Sequence, residues 1–600
     1  MTPEPPRVAI RPLARIIRAR DTGEDPDVIE RANLIRRHDA MRDGLRKRAQ
    51  GRLFILGLFF VVLYGAVAAK MAQLAMSEPA EPRMAMFESS ITSARANIVD
   101  RNGRILATNI ETQALYAHPH EMVDIPGSAA ALAAIFPDLD EDRLRARLSK
   151  PGRKFVWLRQ TMTPEQVQQV HNIGEPGFLF ATRDKRLYPN GREAAHVLGG
   201  AQYGDEGVHA AEVIGVAGVE KALNDQLNDP GQVAEPVQLS LDLPIQVASR
   251  VVLQRGIDLF NAKGGSAVVM DVDSGEIISL VSLPDFDPNW RPRPLTEGDQ
   301  ADSPLFNRAV LGVYELGSVF KIFTTAQAID LGLVNASTMI DTRGPLRQGR
   351  HRINDFRNYG PELSTHDIIV KSSNIGTARI AQMIGRDRQR EFLGELGFLD
   401  PTPLEVIEAP TGRPLIPRNW GEIEMMTISF GHGLSTSPVH LSAAYATVLN
   451  GGYKVTPTIL KQEGTKLGPR VISEQASRVS RDMLRAVVTE GTASMGDVPG
   501  YHVGGKTGTA DKPKPGGGYH EDKVLGTFAA VFPAHDPQYV VIVTLDEAEM
   551  RHGSEPRRTA GWTAVPVTSE MIRRIAPLMG MRPEIAAPTQ PAIREARSGQ

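Results

Sequence analysis

Val503-Gly504-Gly505-Lys506-Thr507-Gly508-Thr509-Ala510 is the stretch on which the fold turns. It reads as a short strand, and glycines inside a strand mark places where another backbone must approach closely. The tetrad Lys506-Thr507-Gly508-Thr509 is expected by chance in well under roughly one chain in a hundred of this length. A plain glycine-rich turn is one alternative. A phosphate-binding loop is another, although the lysine precedes the glycine of the tetrad.

Working upstream, Tyr314-Glu315-Leu316-Gly317-Ser318-Val319-Phe320-Lys321 places a serine three residues before a lysine, just ahead of the helix-like run Ile322 to Leu331. Residues three apart on a helix share a face, so the amine can reach the hydroxyl. A serine at its ordinary pKa is a poor nucleophile, and a desolvated lysine is a base that can activate it. Taken alone this pair is no more than a surface helix with a solvated lysine. Between the two motifs, Lys371-Ser372-Ser373-Asn374 supplies a hydroxyl that can shuttle a proton and an amide that can donate to and accept from a peptide group. By itself it would be a helix cap or a turn.

In this order the three elements resemble the signature of class A β-lactamases and penicillin-binding proteins: serine-x-x-lysine, a serine-containing triplet, then lysine-threonine-glycine. Ser-Ser-Asn in place of Ser-Asp-Asn resembles division transpeptidases and argues against a class A β-lactamase. The similarity runs from about Arg95 to Pro566. Arg95-Ala96-Asn97-Ile98 with Asp100-Arg101-Asn102-Gly103 looks like the first box of class B penicillin-binding proteins, with Ala96 where the family usually has glycine. Arg186-Leu187-Tyr188-Pro189, Ala195-His196 and Gly218-Val219-Glu220 look like later boxes of its pedestal module. Phe286-Asp287-Pro288-Asn289, Asn307-Arg308 and Ser429-Phe430-Gly431-His432-Gly433 are family-like too, although His432 replaces the more usual glutamine and is given no role. The compact pedestal, the Lys-Ser-Ser-Asn box and Gly518 to Lys523 leading to Phe532-Pro533 resemble the septal, FtsI-type enzyme more than its elongation relative.

The resemblance implies an α+β fold: a serine β-lactamase/transpeptidase-like catalytic domain, an antiparallel sheet flanked by helices with an all-α insert, behind an N-terminal pedestal. It also implies a peptidoglycan D,D-transpeptidase of the serine-type D-Ala-D-Ala carboxypeptidase class. Ser318 would attack a donor stem peptide, with Lys321 as base, Ser372 as proton relay and Asn374 orienting the donor amide. Lys506 would supply positive potential, Thr507 and Thr509 would bind the terminal carboxylate, and Gly508 would allow close approach. The backbone N–H groups of Ser318 and Thr509 would form the oxyanion hole. The implied partners are peptidoglycan stem peptides, β-lactam antibiotics, a membrane glycan polymerase and other division proteins. No cofactor is called for. The rival readings are an elongation-type enzyme, a β-lactamase, a β-lactam sensor and a non-catalytic scaffold; residues 1–52 offer no signalling domain for a sensor.

Further outward, Leu53 to Ala69 carries no charge and as a helix covers about 26 Å, so that continuing to Met76 spans a bilayer. Arginines and lysines crowd its upstream side between Arg36 and Arg52, which places the N-terminus in the cytoplasm and everything after Met76 in the periplasm, the anchor crossing the inner membrane once. Ala66-Val67-Ala68 resembles a signal-peptide cleavage site, but the region before the apolar run is far too long for one. The expected organisation is a cytoplasmic tail (1–52), a transmembrane anchor (53–76), a pedestal or dimerisation domain (77–231), a transpeptidase domain (232–578) and a disordered tail (579–600). The 600 residues suit roughly three or four structural units. With 68 basic and 70 acidic residues there is no overall field to favour nucleic acid. Cysteine is absent, which excludes disulfides, thiolate metal sites and cysteine nucleophiles. His118 and His120 lack an evident third ligand, so no metal is expected.

Overall fold

Along Tyr539–Asp546, Val540 and Ile542 enter one apolar cluster while Val541 and Val543 enter another. That is the period of two expected of a strand covered on both faces. Gly264–Asp271 divides in the same way, with Val268 and Met270 on one side and Ala267 and Val269 on the other. The computed structural model describes residues 11–76, 95–204, 213–465, 467–514, 516–552 and 555–584. In it, β1 (Gly264–Asp271), β2 (Ile277–Leu283), β3 (Gly504–Pro513), β4 (Tyr519–Phe532) and β5 (Tyr539–Asp546) form one antiparallel sheet in the order β3-β4-β5-β1-β2. The β1–β2 turn falls on Asp273-Ser274-Gly275, where the Asp271 carboxylate accepts from the backbone N–H groups of Asp273 and Ser274.

Helices cover both faces. Ile245, Val252 and Leu253 of α1 (Leu243–Leu259) share one cluster with Val565, Ile572 and Ile575 of α6 (Ala564–Leu578). Ile322 and Phe323 of α2 (Lys321–Asp330) and Val439, Tyr445 and Val448 of α4 (Pro438–Leu449) belong to the other. Between α2 and α4 lies α3 (Asn374–Ile384), and α5 (Glu474–Thr489) precedes β3. The segment between β2 and β3 is largely helical, but it also carries two short antiparallel ladders, Met339–Asp341 with Glu362–Ser364 and Leu346–Gln348 with His351–Ile353.

In the pedestal, Ile105–Ala117 pairs with Ile98–Val99, Val156–Met162 and Phe178–Leu187. Three of its four sequence boxes converge on one carboxylate. Fully buried Glu220 accepts from Arg95 Nε at 2.7 Å, Arg186 Nε at 2.7 Å and the Tyr188 hydroxyl at 3.2 Å. The apolar cluster that holds α2 and α4 also contains Ile98, Tyr188, Val197 and Val219, so the pedestal and the catalytic sheet share one core.

Residues 1–91 form a separate unit, whose described part is two helices, Arg11–Thr22 and Pro26–Met76. The first 52 residues are expected only as a cytoplasmic tail. The helix instead runs unbroken from Pro26 to Met76, because no proline follows its start and Ala, Leu, Arg, Lys, Met and Gln, all good helix formers, fill the link. Gln50–Met71 is the one helix among the described residues long and apolar enough to cross a membrane. The expected C-terminal tail lies outside the described residues from 585 onward, and so do residues 77–94 at the start of the pedestal segment.

Candidate active site

Ser318 stands in a 3-10 turn, Gly317–Phe320, that runs into α2. Two glycines let that turn and β3 touch. A Cβ on Gly508 would sit 2.1 Å from the Leu316 carbonyl oxygen, and one on Gly317 would sit 2.8 Å from that of Thr509. The close approach expected at Gly508 is thus made by the turn bearing the serine. Gly317 also has φ of +63°, a conformation that favours glycine, and its N–H donates to the Gly431 carbonyl at 3.1 Å.

Three motifs meet at one hydroxyl. Ser372 follows the helix Thr365–Lys371 in a left-handed conformation (φ 63°, ψ 47°), unusual for a residue with a Cβ and of the kind that clusters at functional sites. Lys321 Nζ donates to its backbone carbonyl at 2.6 Å and its Oγ at 3.0 Å. Lys506 Nζ donates to the same Oγ at 2.9 Å and to the Thr507 carbonyl at 3.2 Å. The direct contact expected between Lys321 and Ser318 is absent among the described residues; the amine is turned to Ser372, and Ser318 is half-exposed beside it.

Both lysines are fully buried. Burial pushes Lys321 well below the usual lysine range, the nearby positive charge of Lys506 lowers it further, and Asp355 opposes both. Burial also lowers Lys506, to about 7. Both amines are therefore shifted toward the neutral form, as an acid–base device requires.

Asn374 opens α3, and its Nδ2 donates to the Asn354 carbonyl at 3.0 Å. The Thr507 hydroxyl shares a hydrogen bond with Thr492 Oγ1 at 2.9 Å. Thr509 Oγ1 accepts from the Ala560 N–H at 3.0 Å, which leaves its own proton to donate.

Sequence reading missed several supports. Asp355 accepts from the Ser373 hydroxyl at 2.7 Å and from the N–H groups of Asn374 at 2.5 Å and Ile375 at 3.0 Å, fastening the Ser-Ser-Asn box. The Tyr445 hydroxyl, from α4, donates to the Val319 carbonyl at 2.8 Å. Glu315 accepts from the Gly433 N–H at 2.7 Å and from the Tyr519 hydroxyl at 2.9 Å, linking the turn to the start of β4. Beside them, His432 has its pKa lowered chiefly by burial. No local pattern announces these long-range contacts. Far from the site, His118 and His120 stack 5.6 Å apart, and no group of three side chains that could hold a metal occurs among the described residues.

Comparison with known proteins agrees with this geometry. Residues 265–565 match the model of the penicillin-binding protein transpeptidase domain, and residues 90–232 match that of the penicillin-binding protein dimerisation domain. The chain is 36% identical to a probable peptidoglycan D,D-transpeptidase FtsI of Caulobacter vibrioides, over 83% of each chain. It is 27% identical to the peptidoglycan D,D-transpeptidase FtsI of Escherichia coli, over 76% of this chain and 80% of that one. A crystal structure of penicillin-binding protein 3 from Mycobacterium tuberculosis, complexed with aztreonam, matches with a TM-score of 0.61 and 26% identity over 82% of this chain and 98% of that one. With the three motifs gathered on one sheet edge and both family models matched in order, the chain belongs to the penicillin-binding protein transpeptidases of the FtsI type.

Proposed function

We propose that this protein cross-links septal peptidoglycan through an acyl-enzyme on Ser318. The observation that carries the reading is the Ser372 hydroxyl: both of its lone pairs receive lysine N–H groups, from Lys321 and Lys506, so its own proton can only be donated outward. Ser318 Oγ bonds to the carbonyl carbon of the penultimate D-Ala while its proton passes to neutral Lys321. Backbone N–H groups of Ser318 and Thr509 hold the oxyanion. The amide C–N bond then breaks, Ser372 gives its proton to the leaving D-Ala amine, and Lys321 restores it. Lys506 and the hydroxyls of Thr507 and Thr509 bind the donor's terminal carboxylate, and Asn374 aligns its amide. An amine of a second stem replaces D-Ala, and β-lactams follow the first half of the path and stay.

The septal role is supported by likeness to the two FtsI relatives. The reading includes a single-pass anchor with its N-terminus in the cytoplasm, and a pedestal (77–231) carrying a periplasmic catalytic domain (232–578). A reporter fused after Met76 will be active only outside the cytoplasm. The decisive experiment is Ser318→Ala, which removes one oxygen. Fluorescent penicillin will no longer label the variant although its melting curve is native, and the wild-type protein will concentrate at midcell. Retained labelling would sink the nucleophile assignment; sidewall localisation would point to an elongation enzyme.

A further inference from the structure

Five arginines and one acidic residue lie between Arg343 and Arg357. The ladder Leu346–Gln348 with His351–Ile353 sets Arg347 directly opposite Arg352, both exposed. Like charges facing across an antiparallel pair are destabilising. The acidic residue, Asp355, is committed to Ser373, Asn374 and Ile375, and Arg343 is paired with Asp341. Among the described residues Arg347, Arg350, Arg352 and Arg357 have no ion-pair partner.

The base of this hairpin is fixed. Leu346 and Ile353 are buried with Ile375 and Ala378 of α3 and with Phe430, so the arginines are carried on a clamped edge. The chain then passes through Asn354 and Asp355, which hold the Ser-Ser-Asn box, to Phe356, which is 90% exposed, and Arg357, which stacks on Tyr359. Asn354, Asp355, Arg357 and Tyr359 line an open cavity of about 510 Å³ whose floor includes Ile375. A basic, aromatic-tipped surface is thus hydrogen-bonded to the Ser-Ser-Asn box.

We propose that this hairpin and cavity bind the carboxylates of the acceptor stem, an acidic peptide that carries the attacking amine. The inference rests on the transpeptidase reading above. β3 serves the terminal carboxylate that departs with D-Ala, and the unpaired arginines offer the acceptor a second, separate anion site. In the step served, the acceptor nitrogen bonds to the acyl carbon, the ester C–O bond to Ser318 breaks, and the amine proton returns to the serine oxygen. Position favours a peptide over a lipid surface, because the hairpin is tied to Ser373 and Asn374, next to the Ser372 hydroxyl on which both lysine amines meet.

The test uses the full-length protein in detergent, an acyl-D-Ala thioester as donor, and two acceptor amines: an acidic peptide and its fully amidated twin. The variant is Arg347→Gln/Arg352→Gln/Arg357→Gln, and acylation of Ser318 by a β-lactam reports on the integrity of the site. The expected result is a rise of about tenfold in the apparent KM for the acidic acceptor, the combined loss of three exposed charge contacts, with no change for the amidated twin or for β-lactam acylation. An unchanged KM for the acidic peptide overturns the proposal, and so does an equal loss with both acceptors. Loss of binding to phosphatidylglycerol vesicles with the acceptor KM intact also overturns it and makes the patch lipid-facing. Failure of wild type to acylate at Ser318 would instead remove the reading beneath it.

Discussion

Lys321 and Lys506 differ only in degree as buried amines, yet their roles predict opposite responses to pH. A base must lose its proton; burial and the charge of Lys506 favour that loss at Lys321. Arginine cannot do so, and Lys321→Arg is expected to stay folded but to acylate with β-lactam at least roughly a hundred times more slowly, the lower end of what acid–base catalysis contributes. A loss within about tenfold, worth some 1.4 kcal/mol of barrier, would move the base function to the path through Ser372. Lys506 must keep its charge to hold a carboxylate, and it loses that charge as pH rises through about 7. Acylation will therefore fall as pH rises through about 7 and Lys506 neutralises. In Lys506→Gln the acylation rate will be low and its alkaline limb flat; an alkaline limb that survives would assign the fall elsewhere. The stability effect has its own sign. Lys506 titrates lower in the folded than in the unfolded chain, so between about pH 7 and the ordinary lysine range the unfolded state binds more protons, and this group's contribution to stability improves as pH rises.

Elements, rather than residues, set how tightly the site is held. α3 begins at the Ser-Ser-Asn box, and its first N–H groups end on Asp355, a residue outside the helix. Ser373 remains the N-cap through the Gly376 N–H, while Asp355→Ala removes the acceptor of the Asn374 and Ile375 N–H groups and of the Ser373 hydroxyl, at a net cost of about 1 kcal/mol or more per hydrogen bond. Its larger effect will be on order at Asn374: β-lactam acylation will slow while Ser318 labelling still goes to completion. Unchanged acylation kinetics would reduce Asp355 to a purely structural support. The motifs themselves were legible because each rests on local spacing. Ser318 and Lys321 are three apart, and β3 announces itself through Gly504, Gly505 and Gly508 placed where backbone or core atoms press in. Asp355 was not legible, since its partners lie 18 to 20 positions away and nothing in Asn354-Asp355-Phe356 marks their acceptor. Nor was the Lys321 amine's choice of Ser372 over Ser318, because helical spacing says which atoms can meet and not which acceptor outcompetes the other.

At the scale of the molecule, the sequence divides into a pedestal and a catalytic domain, while the apolar core does not. Ile98, Tyr188 and Val219 lie in the cluster that reaches Val268 of β1 and Phe323 of α2. Arg101 of the first pedestal box also pairs with Glu276 beside β2 at 3.1 Å. The pedestal's own integrity hangs on Glu220, where one carboxylate pairs with the Nε of two buried guanidinium groups. Glu220→Gln keeps the shape but leaves Arg95 and Arg186 without a counter-charge, and breaking a buried pair costs about 3–5 kcal/mol. In one cooperative unit of about 500 residues, with an unfolding entropy of about 2.1 cal/mol/K per residue, each kcal/mol lowers the melting temperature by roughly 1 °C, so a fall of about 3–5 °C is expected. Because the core is shared, the fall will appear in one transition, and fluorescent-penicillin labelling will be lost at the same lowered temperature although Glu220 is remote from Ser318. A calorimetric trace with two transitions, in which labelling follows an unshifted one, would show that the catalytic domain stands without its pedestal. The shared core would then be a contact surface between independent units rather than a single cooperative one.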